Sequence, residues 1–145
     1  MDWKREAADK LRCYEAKRAS AVLAREEMQR LTYEATRIRS AAADGTPVRG
    51  GGSTREDVMV DNIVRRGELD AAMRIAALWV RTVEAGLAVL DAEERHILDR
   101  FYIHRAGGHV ERLCEELHLE KSQVYERKDR ALRHFTLALY GVVET

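Results

Sequence analysis

Val110–Leu132 reads VERLCEELHLEKSQVYERKDRAL, and the reading of its middle decides the C-terminal half of the chain. Val110, Leu113, Cys114 and Leu117 recur at helical spacing, so the first part makes a short helix with one apolar face. A tight turn of His118, Leu119 and Glu120 follows. A further helix then runs from Lys121 toward Tyr140, with Val124, Ala131, Leu132, Phe135 and Leu139 as its apolar positions. Upstream, Glu93 to Tyr102 reads as another short helix with Ile97, Leu98 and Phe101 turned inward, broken at Ala106, Gly107 and Gly108. A short helix, a turn of about three or four residues and a second helix form the helix-turn-helix arrangement, whose second helix enters the major groove of DNA. Residues 91–145 are therefore expected to be a DNA-binding domain.

With Val124, Ala131 and Phe135 inward at about 100° per residue, Ser122, Gln123, Glu126, Asp129, Arg130 and Arg133 turn outward, flanked by Lys121 and Arg127. Lys pairs with guanine, Gln with adenine, and a glutamate accepts from cytosine N4. The candidate base readers are Lys121, Ser122, Gln123 and Glu126, at the end of the helix that lies deepest in the groove. Arg127, Arg130 and Arg133 are placed to hold phosphates, which fix register without reading sequence. The competing reading of the same charges is a solvated face stitched by Glu126–Arg130 and Asp129–Arg133 ion pairs one turn apart. Glu120–Arg133 carries five basic and three acidic residues, a net charge of +2. Such a small excess gives weak, salt-sensitive affinity, so useful binding calls for two copies on paired half-sites or help from a protein partner such as RNA polymerase.

Gly45–Asp57 reads GTPVRGGGSTRED. Gly45 and Gly50 have the spacing of a phosphate-binding loop, but Gly51 stands where that loop requires its Lys, so the run is read as a turn between helices. Gly45 and Pro47 close the helix before it; Ser53 with Glu56 makes a capping-box pattern for the one after. Trp3–Ser40 has no Gly or Pro, and Trp3, Ala7, Leu11, Tyr14, Ala21, Ala24, Met28, Leu31, Ala35 and Ile38 mark a narrow coiled-coil-type stripe on one long helix. From Arg55 to Leu90 the line Leu69, Met73, Ala76, Val80, Val83, Leu87, Leu90 runs beside a second, Val64, Ala71, Ile75, Leu78, Ala85, Val89. A helix apolar on two sides needs two neighbours. An antiparallel hairpin across a linker at 45–53 covers one stripe; a second copy of the chain or the C-terminal helices must cover the other. Residues 1–90 are thus expected to form an assembly hairpin and the chain a homodimer.

The rest of the composition narrows the field. With 145 residues, one Pro, few aromatics and many Ala, Arg, Glu and Leu, the fold class is all-α, a long helical hairpin followed by the helix-turn-helix. The 25 Lys and Arg balance the 25 Asp and Glu, so any polyanion is met by a local patch rather than by bulk charge. No membrane partner is expected, since no apolar run approaches membrane length; MDWKREAADK is charged where a signal peptide is apolar. With Cys13 and Cys114 far apart and read as reduced thiols, the expected location is cytoplasmic. Cys114 and His118, with His104 and His109 upstream, fall short of paired metal ligands, and no activating base accompanies Cys114. No metal, cofactor or catalytic residue is assigned, and the chain is read as a non-enzyme.

LDAEERHILDRFYI at 90–103, followed by Val110–Leu132, resembles region four of sigma-70-type factors and the C-terminal domains of phage late-gene activators of the ArpU and RinA kind. Leu113, Leu117, Ser122, Val124, Tyr125, Arg130, Ala131 and Leu132 carry the match, and a helix pair split by a Gly-rich linker is similar to small phage regulators bearing this module. The resemblance implies a transcriptional regulator that binds promoter double-stranded DNA and recruits or modifies RNA polymerase. Three positions depart from the pattern: His118 replaces the usual turn Gly, Glu120 the usual Ser or Thr cap, and Glu126 a frequent Arg. The reading from another class is a helical assembly or packaging adaptor of a phage that does not touch DNA, its three short helices capping a coiled coil.

Overall fold

A computed structural model describes residues 1–43 and 54–143. They are helical nearly throughout, and no strand occurs among them. The helices are α1 (Trp3–Arg12), α2 (Tyr14–Ala43), α3 (Arg55–Ala88), α4 (Ala92–Leu98), α5 (His109–Leu117) and α6 (Lys121–Tyr140), with a π-helical turn, Asp99–Ile103, extending α4. The Gly-rich run at 45–53, with its turn and loop readings, lies outside the described residues. So does Ser53; the reciprocal cap that opens α3 is Thr54 with Asp57, whose side chains each accept the other's backbone N–H at 3.2 and 3.3 Å.

The long first helix expected over Trp3–Ser40 is two helices. They part at Cys13, which closes α1 at φ −89°, ψ −3°. The Trp79 Nε1–H donates to the carbonyl of Lys10 at 3.1 Å, the oxygen to which a continuous helix would direct the amide of residue 14. A side chain inserted into the ladder is a recognised cause of a kink, and it lay beyond periodicity, since Trp79 is distant in sequence.

The chain divides into two compact units, Met1–Lys17 with Leu78–Thr145, and Arg18–Ala77. In the first, Ala7, Ala8 and Leu11 of α1, Val83 and Leu90 at the end of α3, Leu98 of α4 and Ala131, Leu132 and Phe135 of α6 share one core. Gly86 lets α3 approach α6 closely: a Cβ there would stand 2.7 Å from Phe135 and 2.9 Å from Leu139. Trp3 packs on Tyr140 with ring centroids 4.9 Å apart. A second cluster, Ile97, Phe101, Val110, Leu113 and Val124, joins α4 and the π-helical turn to α5 and α6.

The Arg18–Ala77 unit is α2 laid along α3 in opposite chain directions: the buried Asn62 donates to the carbonyl of Leu31 at 2.9 Å, and Arg65 meets Glu27 at 3.6 Å. Leu31, Ala35 and Ala76 are buried with it. The stripe expected on the first helix points inward in both units, with Ala7, Leu11, Leu31 and Ala35 buried and Trp3, Tyr14, Met28 and Ile38 partly so. On α3 the two lines part company. Ala76, Val83 and Leu90 of the first are buried, whereas Val64, Ala71, Ile75, Leu78, Ala85 and Val89 of the second are exposed.

Candidate nucleic-acid interface

The interface is built from α4 upward. Asp91 caps α4, its Oδ1 accepting the Glu94 N–H at 2.8 Å while Glu94 accepts back from the Asp91 N–H at 3.4 Å. That bond from the Glu94 amide holds the Asp91 carboxyl below its ordinary range. The same turn sends Glu93 to Arg127 and Glu94 to His134, both on α6, while His96 reaches Glu116 on α5 at 2.5 Å. The hydrogen bond from His96 depresses the Glu116 carboxyl, aided by the charges of Arg100 and Arg112. One short helix therefore holds both α5 and α6 through polar pairs, while Ile97 and Phe101 fill the space beneath.

Between α5 and α6 the chain turns in three residues. His118 adopts the left-handed conformation, φ 55°, ψ 46°, and its N–H bonds the Cys114 carbonyl, as does that of Leu119 at 3.1 Å. This conformation, which the usual Gly adopts freely, costs a residue with a Cβ about 1–2 kcal/mol. At the start of α6 the Gln123 Oε1 accepts the Glu120 N–H at 2.9 Å, the return half of a capping box.

Lys121, Ser122, Gln123 and Glu126 are all exposed on the first two turns of α6, opposite the buried Val124, Ala131, Leu132 and Phe135. Gln123 is already engaged through its acceptor, which leaves its NH₂ as the end to offer a base. The phosphate candidates separate. Arg127 is half-buried and tied to Glu93. Arg130 lines the same polar hollow as Asp91, Glu93, Glu94 and His134, so the acidic first turn of α4 competes with phosphate there. Arg133 is exposed. The anticipated ion pairs do not form: Asp129 pairs with Lys128 at 2.8 Å, and Glu126, Arg130 and Arg133 make no ion pair among the described residues. Burial opposes the charge of Lys128, but the Asp129 hydrogen bond and charge outweigh it and raise its pKa.

Residue typing passed over Tyr125, whose ring stands edge-on to Phe101 at 5.8 Å while the residue stays 40% exposed, one turn from Ser122. Its spacing of three residues from Ser122 could have flagged it as a further candidate on this face. The histidines and cysteine weighed as metal ligands have separate partners. His104 sits between Asp99 at 2.7 Å and Glu15 at 3.2 Å, His109 bonds the Ala106 carbonyl, and Cys114 packs against the Ile97–Phe101 cluster. No group of three or more potential metal ligands converges among the described residues, and no described helix is long and apolar enough to cross a membrane.

No protein-family model, curated protein or solved structure matches the chain.

Proposed function

We propose that the chain is a sequence-specific DNA-binding transcriptional regulator whose helix-turn-helix is α5, the turn at His118 and α6, acting on promoter DNA as two copies and recruiting or modifying RNA polymerase. One observation carries this reading above the others. The first two turns of α6 present Lys121, Ser122, Gln123 and Glu126 outward together, on a helix held by a buried opposite face and capped at its N-terminus without the use of Lys121 or Ser122. That is the arrangement in which a recognition helix offers its N-terminal residues to base edges.

The cap changes which substitution is informative. Gln123→Ala removes both a base contact and the cap, whereas Gln123→Glu keeps an acceptor for the Glu120 amide and removes only the donors. Titrating labelled duplexes against added salt tests the reading. Wild type should lose affinity with a log–log slope near −0.9 per phosphate contact, and Arg133→Ala should reduce that slope by about one such step. A salt-independent affinity, or one untouched by Lys121→Ala with Gln123→Glu, is the result expected of the assembly adaptor. That second reading draws on Glu126 and Asp129, two acids standing exposed near the centre of the same face.

A further inference from the structure

Unit Arg18–Ala77 has less interior than its length calls for: Leu31, Ala35, Asn62 and Ala76 are its buried residues among those described. Two helices sharing so small a core require apolar cover from elsewhere. On the side of α3 turned away from Asn62 and Ala76, Val60, Val64, Gly67, Ala71 and Ile75 succeed one another at steps of three and four residues, with no charged residue in the line. Val60, Val64 and Ile75 are 56, 53 and 63% exposed, and a Cβ built on Gly67 meets nothing within 4 Å.

The line is bulky at both ends and bare in its middle, so it complements itself when reversed. A two-fold axis beside the step from Gly67 to Ala71 sets Gly67 of one copy against Ala71 of the other, and brings Val64 within one residue, about 1.5 Å, of level with Ile75. The bare middle lets the backbones approach while the branched ends pack across. A helix of an unrelated protein has no reason to repeat this pattern backwards; a second copy does so by symmetry, each residue meeting the one that meets it. We infer that this line on α3 is the seat of a second copy of the chain. The inference rests on the two-copy reading above and gives it a surface.

The oligomeric state is measured without DNA, so its failure and that of the DNA reading are separate. Sedimentation equilibrium on the full chain should give a dimer mass at about 100 μM. Val64→Glu/Ile75→Glu should dissociate at least about tenfold more readily, with far-UV circular dichroism unchanged because both residues are exposed in the single chain. Gly67→Leu, which fills the bare middle without adding charge, should weaken the dimer too. Tyr33→Glu, on the exposed surface of α2, should leave it intact. A monomeric wild type, a dimer indifferent to both α3 variants, or a loss of dimer with Tyr33→Glu as large as with the α3 pair would each overturn the inference.

Discussion

α3 is one helix with two fates. One face of its C-terminal turns is sealed, Val83 and Gly86 lying in a core with Leu11 and Phe135 although Ala85 and Val89 are exposed, while nearer its N-terminus Val60, Val64 and Ile75 stand open. The apolar period is equally regular through both. Periodicity therefore states which face wants cover and is silent on what supplies it. In the sealed half the cover comes from residues far apart in the chain, α1 at one end and α6 at the other. Among the described residues, the open stretch meets α2 through Asn62 and Arg65.

The largest expected difference between the halves is at their centres. Phe135→Ala empties a fully buried ring position and should cost about 3–5 kcal/mol by urea unfolding, whereas Leu31→Ala in the smaller core should sit near the low end of the roughly 2–5 kcal/mol range for such truncations. Equal losses would mean that the two interiors are equally well packed. Gly86→Ala comes next. Helix propensity favours the change, but the Cβ collides with Phe135 and Leu139, and a net loss within about 1–3 kcal/mol is expected from thermal unfolding. An unchanged midpoint would show that α3 and α6 can move apart at no cost.

A gain is expected at the turn. His118→Gly relieves a left-handed residue and should stabilise the chain by about 1 kcal/mol, read as a higher urea midpoint. The smallest effect is that of pH. The hydrogen bond to Asp99, with the charges of Asp99 and Glu15, raises the His104 pKa above its ordinary 6.5 against the opposing pull of burial. A raised histidine contributes stability that is complete below the unfolded value near 6.5 and is lost as pH rises through the folded value above it. The thermal midpoint should therefore decline over that window in wild type and less so in His104→Gln. A decline of the same size in both would assign the pH dependence to other groups.

Much of this was legible because it is local. The all-helical class, the inward stripe through Leu11, Leu31 and Ala35, and the boundaries of α5 and α6 all follow from spacing and turn residues. What was not legible depends on distant partners. Cys13 breaks a helix because Trp79 takes the Lys10 carbonyl, and Arg127 pairs with Glu93 across a gap in sequence that no helical period spans. The start of α6 falls between the two cases: Glu120 is by type a poor cap, and Gln123, three residues on, satisfies its backbone N–H.

Selection of binders from a pool of genomic fragments at near-physiological salt, with wild type beside Lys121→Ala/Gln123→Glu, bears most directly on the α5–α6 module as a reader of DNA. Enrichment of a short motif, two-fold symmetric if two copies bind together, that the double variant loses is the expected result. Folded wild-type protein that enriches nothing, or a double variant that enriches the same motif, would contradict it.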